Sequence, residues 1–251
     1  MKAARSNTAA GNWRLGLRRL VCVAAVGAVF LLPRDLASAQ PAASANLEKV
    51  LAQMDEAAAK FHSAQAEFQW DQFERVVSST DTQTGRIYFL RNGTSTEMAA
   101  EILTSDGQPS KKTIVFKDGV LKFYQPEINQ LTIFHAGKKQ DQYESFLTLG
   151  FGGSGSDLKK NWDIAYQGME TIDGVQTAKL DLVSKLASVR NNFTHVTIWV
   201  DPARAISLKQ EMFEPSGDIR TDYFRNIEYN KKISASVFKI KTNSKTQTVE
   251  K

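Results

Sequence analysis

The residues with chemistry to offer are few and scattered. His62, His135 and His195 lie far apart in the chain and have no metal-ligand spacing, so their order suggests neither a zinc site nor a histidine-activated nucleophile. Gly150-x-Gly152-x-x-Gly155 has the lettering of a dinucleotide-binding turn. It follows a helical pattern rather than a strand and lacks a β-α-β frame, so it reads as a flexible joint. No Gly-Lys-Ser/Thr follows it to cradle a phosphate. Asp55 and Glu56 fall on what reads as the solvated face of a helix, and the serine-rich turns lack a nucleophile elbow. The expectation is a protein that is not an enzyme and needs no cofactor and no metal.

The N-terminus explains the apparent basicity. Arg14, Arg18 and Arg19 precede an apolar run, Leu20 to Leu32, and Ala37-Ser38-Ala39 supplies a small-x-small cleavage pattern. Residues 1–39 read as a cleaved export signal, because thirteen apolar residues are short for a membrane span. The whole chain has 32 basic and 27 acidic residues, a formal charge of +5. Six of the basic ones (Lys2, Arg5, Arg14, Arg18, Arg19, Arg34) and Asp35 belong to the signal, leaving 26 of each sign. Nucleic acid is therefore not an expected partner. Cys22, the single cysteine, sits inside the apolar run, so the mature chain has no thiol for catalysis, zinc or a disulfide.

The remaining residues read as one domain. Residues 40–45 look like a mobile leader, and 46–251 form the domain proper. Leu47, Val50, Leu51, Met54, Ala58 and Phe61 share one stripe of a helix over Asn46–Phe61. Alternating, aromatic-rich segments follow. Strands are expected at Ala64–Val77 (with a phase slip near Phe73), Gly85–Arg91, Thr96–Leu103, Thr113–Phe116, Val120–Tyr124 and Gln130–Phe134. Asn92-Gly93 and Asp118-Gly119 mark tight turns. The alternation then lapses into two short helices, Gln142–Leu149 and Asp157–Trp162. It returns at Asp163–Gln167, Gln176–Val183, Val196–Val200, Ile206–Glu214, Arg220–Tyr229 and Phe238–Thr242, with turns at Asp173-Gly174 and Ser216-Gly217. The fold class is mainly β: an unclosed antiparallel half-barrel of about ten or eleven strands, covered by an N-terminal helix and an inserted helical lid.

The apolar inventory then carries the function. Phe68, Trp70, Ile87, Phe89, Leu121, Phe123, Leu131, Ile133 and Met212 sit on alternating strand positions. Taken singly they could be ordinary core. Together with Phe146, Leu147, Leu149 and Phe151 in the helical insert, they could line a lipid-sized cavity under a movable lid. Arg91 shares a strand face with Ile87 and Phe89. It either points into that interior, where it needs hydrogen-bond acceptors such as lid carbonyls, or reaches solvent at the strand end beside Asn92-Gly93.

The order and spacing of several segments resemble the periplasmic lipoprotein carrier (LolA) family along nearly the whole mature chain. They are His62-Ser63-Ala64-Gln65-Ala66-Glu67-Phe68-Gln69 after the helix, Gly85-Arg86-Ile87-Tyr88-Phe89-Leu90-Arg91, and Ile114 to Pro126 followed by Gln130. Ala235-Ser236-Val237-Phe238-Lys239-Ile240 is similar to the family's last core strand. The resemblance implies a monomeric periplasmic carrier whose cavity takes acyl chains of outer-membrane lipoproteins. It would receive acylated lipoproteins from an inner-membrane ABC-type releasing complex and pass them to an outer-membrane acceptor of similar fold. The family's lid-locking arginine matches Arg91, although Asn92 stands where a proline usually follows. A lipid or lipoprotein sensor of the same fold, a carrier of another envelope lipid and an extracytoplasmic enzyme acting on a lipid are the alternatives.

Overall fold

The computed structural model describes residues 39–251; the expected export signal lies, except for Ala39, outside them. The first element, α1 (Ala39–Ala58), takes in residues 40–45 as helix. Alanine, the strongest helix former, makes up much of it. Val50, Leu51, Met54 and Ala57 form the buried stripe of α1, and Phe61 continues it beyond the helix end.

Six strands follow: β1 (Ser63–Glu74), β2 (Ser79–Asn92), β3 (Ser95–Ser105), β4 (Gln108–Lys117), β5 (Val120–Gln125) and β6 (Gln130–His135). Two short helices interrupt them, α2 (Gln140–Leu147) and α3 (Gly155–Asn161). The chain then returns to the sheet with β7 (Trp162–Ile172) and β8 (Val175–Ser184), a single-turn α4 (Ala187–Arg190), β9 (His195–Asp201), β10 (Ile206–Phe213), β11 (Ile219–Tyr229) and β12 (Gln247–Glu250).

The described residues form one 12-stranded sheet in the order β12-β6-β5-β4-β3-β2-β1-β11-β10-β9-β8-β7. Pairing is antiparallel throughout except that β12 runs parallel to β6. The end strands β12 and β7 do not pair with each other, so the sheet is an unclosed barrel. Tight turns explain the serial pairing. Asp118-Gly119 and Asp173-Gly174 adopt positive φ at both residues, the backbone that matches the twist of flanking strands. So does Asp106-Gly107, which lets β3 and β4 run past the expected limits of Leu103 and Thr113.

The inner face, covered by the helices, holds two apolar clusters. One joins α1 and Leu158 of α3 to Leu180, Leu182, Val196 and Ile198 of β8 and β9. The other joins Phe68, Ile87, Phe89, Met98 and Phe116 to Phe151, Ile206 and Phe224. The outer face has a third, smaller cluster, where Phe238 packs on Tyr88, Ala99 and Val115.

Three expectations are corrected, and one unexpected strand is added. Phe238–Thr242 is not a strand: a 3-10 turn at Ala235–Phe238 lays Phe238 on the outer face. β12 escapes the sequence pattern because every one of its residues is exposed, so it carries no alternation. The irregularity in β1 lies at Gln65/Glu67 opposite β11, while Phe73 pairs regularly with Ile219 and Thr80. Leu131 and Ile133 pair with Tyr124 and Lys122, in line with Thr113 and Val115, and so face outward rather than toward the helices. Among the described residues no helix is long and apolar enough to cross a membrane.

Candidate functional site

A hollow of ≈ 200 Å³ lies between the inner face and the helical insert. The sheet lines it with Trp70 from β1, Ile87 and Phe89 from β2, Leu121 from β5 and Met212 from β10. The insert supplies Phe146, Leu147, Leu149 and Phe151. Nine residues expected from alternation or from the insert therefore meet around one space. Phe68 does not line it: it is buried at 3 % exposure beneath Trp70, the two rings stacked 3.9 Å apart. Its neighbour across β2 is Gly85, whose missing side chain leaves room for the Phe68 ring. Phe123 shares the inner face with Leu121 and Ile114 but stands outside the hollow, and Leu131 borders a groove on the outer face with Phe238 and Ile240.

Sequence reasoning missed Met98, Ile114, Phe193, Gln210, Arg220, Asp222 and Phe224, which also line the hollow. Met98 and Ile114 sit at alternate positions of strands that were readable. Arg220, Asp222 and Phe224 share one parity on β11, but two charges on a strand read as its solvated side. Phe193 lies in a loop and reaches the hollow by stacking on Phe146, with ring centres 5.5 Å apart.

The insert is stitched to the sheet rather than hung from it. Phe151 forms a β-bridge with Ile206. Ser207 N donates to Gly150 O at 2.6 Å and Gly152 N donates to Ala205 O at 2.9 Å. The Gln210 amide donates to Leu149 O at 2.7 Å. Phe151 is 2 % exposed, stacked 3.9 Å from Phe89 and edge-on to Phe224 at 4.8 Å, so its ring plugs the centre of the half-barrel. The glycines serve this fit. Gly152 has φ +75° and lies against the Phe61 ring; Gly155 lies against the backbone of Leu51, which brings α3 onto α1. The glycine-rich joint thus packs closely at Gly152 and Gly155, while Gly153 stands clear.

Further contacts tie both helices of the insert down. Thr96 N donates to the Glu144 carboxylate at 2.6 Å, joining α2 to β3. Asp55 of α1 accepts from Ser156 N at 2.9 Å and from its hydroxyl at 3.0 Å. Asp55 is therefore a tether between α1 and α3, not a free carboxylate. Ser154 caps α3 by accepting from Asp157 N.

Arg91 points inward. Its Nη2 donates to Gly152 O at 2.6 Å, and its guanidinium carbon lies 5.7 Å from the centre of the Phe61 ring. The acceptor is a carbonyl of the glycine-rich joint, not of a helix. A polar cleft of ≈ 330 Å³ surrounds this latch, bounded by Thr94–Thr96, Glu144 and Asp157. The histidines stay apart, on β6, on β9 and before β1, and among the described residues no group of acidic, histidine or cysteine side chains is placed to hold a metal ion.

No family model matches the chain, and no curated protein matches it by sequence. Among solved structures it is similar to an uncharacterized conserved protein from Thermus thermophilus, with a TM-score of 0.52 at 14% identity over 82% of this chain and 99% of that one. It is also similar to the MucA/MucB complex of Pseudomonas aeruginosa (TM-score 0.46, 15% identity, 78% of this chain and 61% of that one). A LolA superfamily protein from Nitrosomonas europaea gives a TM-score of 0.39 at 13% identity over 77% of this chain and 97% of that one. At 14% identity the likeness to the Thermus thermophilus protein is one of fold alone.

The hollow also has a charged end. Asp222, 3 % exposed, accepts from Arg220 through Nε at 2.7 Å and Nη2 at 3.1 Å. Burial pushes the Asp222 carboxyl above the usual carboxylate range, against the opposing pull of Arg220. The fold thus holds this proton more tightly than the unfolded chain does. This group favours the fold as pH falls and costs stability as pH rises through its range. Asp222→Asn removes that dependence, so the stability lead of the native chain over the variant should shrink as pH rises above about 4. Parallel thermal melts at a series of pH values check it; a lead that grows with pH refutes the assignment.

Proposed function

We propose that the protein is a periplasmic carrier that shields acyl chains of outer-membrane lipoproteins and hands them to an outer-membrane acceptor. The observation that carries this reading is the latch from Arg91 to Gly152 O, which fastens a helical cover over a hollow lined mostly by apolar side chains. The donor would be an inner-membrane ABC-type releasing complex, and no cofactor or covalent step is needed.

Packing supports a cycle of opening and closing. Phe151 fills the centre of the half-barrel, so an acyl chain entering there displaces this plug and lifts the insert, breaking the Arg91 latch. Each methylene withdrawn from water contributes about 0.8 kcal/mol, so eight of them offset about 6 kcal/mol of lost cover contacts. Release at the acceptor lets the insert fall back and the latch re-form.

Arg91→Leu tests this directly. A hydrogen bond to a charged group contributes about 1.5–3 kcal/mol, here to the closed, empty state. Without it, the variant should hold its cargo about ten- to a hundredfold more tightly and transfer it poorly to outer-membrane vesicles. A palmitoylated lipoprotein loaded on each carrier and chased into such vesicles gives the comparison. Transfer at the native rate would remove Arg91 from the mechanism.

A further inference from the structure

The charged end of the hollow has no role in a purely apolar acyl site. Trp70, Asp222 and Gln210 are direct register partners across β1, β11 and β10, forming one polar row on the inner face. Arg220 lies beside this row, its guanidinium carbon 4.4 Å from the centre of the Trp70 ring. Along the chain, Trp70 lies eight residues beyond His62, whose carbonyl accepts from Arg91 N, so the indole and the guanidinium of Arg91 come from different stretches of the inner face.

Two donors there are free. Trp70 Nε1 is buried with no partner among the described residues, although Trp70 lines the hollow. Arg220 uses Nε and Nη2 on Asp222, and its Nη1 has no partner among the described residues. A buried indole N–H without an acceptor is costly. A buried ion pair is seldom retained for stability, since apolar side chains of similar volume serve as well or better. Asp222 instead fixes the guanidinium in one orientation, as a bidentate fork does. The side chain of Arg220 keeps 32% exposure, which places the pair at the rim of the hollow.

Resting on the carrier reading above, we propose that Trp70 and Arg220 form a polar anchor for the acyl carbonyl oxygen of the bound lipid, whether ester or free acid. The alkyl chain then runs inward toward Phe89 and Phe151. The anchor sets how the chain is threaded, so the cavity distinguishes a fatty acyl group from a plain hydrocarbon of equal length.

Calorimetric titration with palmitic acid, methyl palmitate and 1-bromohexadecane, each delivered from cyclodextrin, tests it. The acid and the ester should bind about tenfold more tightly than the bromoalkane. Trp70→Phe keeps the ring under Arg220 but lacks the N–H; it should lose most of that preference and keep its affinity for the bromoalkane. Arg220→Gln should weaken the acid more than the ester if a carboxylate is read, and both alike if the ester is. Equal binding of the three probes by the native protein would overturn the anchor and leave the carrier reading intact. Binding of none would overturn both.

Discussion

Phe151→Ala is expected to weaken the fold by about 3–5 kcal/mol and, in the same molecule, to open space for an acyl chain. The ring is 2 % exposed, stacked on Phe89 and edge-on to Phe224, and its backbone is bridged to Ile206. Deleting it removes a large apolar surface and leaves a void that the bridged backbone cannot collapse to fill. Urea denaturation measures the loss. Palmitic acid should then restore more stability to the variant than to the native protein, because the chain fills a vacant centre instead of displacing a plug. A loss below about 1 kcal/mol, or equal rescue of both proteins, would show that Phe151 does not compete with the guest.

Gly152→Ala should loosen the cover while sparing the sheet. Its φ of +75° is strained for any side chain, and the added carbon would fall within the Phe61 ring. Left-handed backbone costs about 1–3 kcal/mol at a non-glycine residue, and the displaced ring adds to it. The same residue offers the carbonyl that Arg91 holds. Hydrogen exchange should therefore accelerate across residues 149–156 and remain slow in β2 and β9. Gly153→Ala is the control: an added carbon there meets nothing within 4 Å. Its stability should stay within about 0.5 kcal/mol of the native chain. Equal effects at the two positions would mean that the joint's packing does not hold the cover.

The amino-acid order already carries the architecture. Period-two alternation, Asp-Gly turns and one helical stripe dictate a serial antiparallel sheet under a helix, because each pattern buries its apolar residues in only one conformation. The inward parity of Trp70, Ile87, Phe89, Leu121 and Met212 follows from the same rule. Parity misleads where strands are short and both faces carry apolar residues, as at Leu131 and Ile133: a one-residue shift exchanges the faces, and only pairing with β5 fixes it.

Tertiary contact decided the rest. The glycines at 150, 152, 153 and 155 could serve either mobility or close approach; the positions of Phe61 and Leu51, distant in sequence, select close approach at Gly152 and Gly155. Arg91 at a strand end was ambiguous until Gly152 O lay 2.6 Å away. Arg220 and Asp222 look like surface charges in the sequence, yet Asp222 is 3 % exposed and both line the hollow that the helical insert also lines. Local pattern fixes which face a residue takes along its own strand. What that face meets depends on segments far away in the chain, and no local periodicity encodes them.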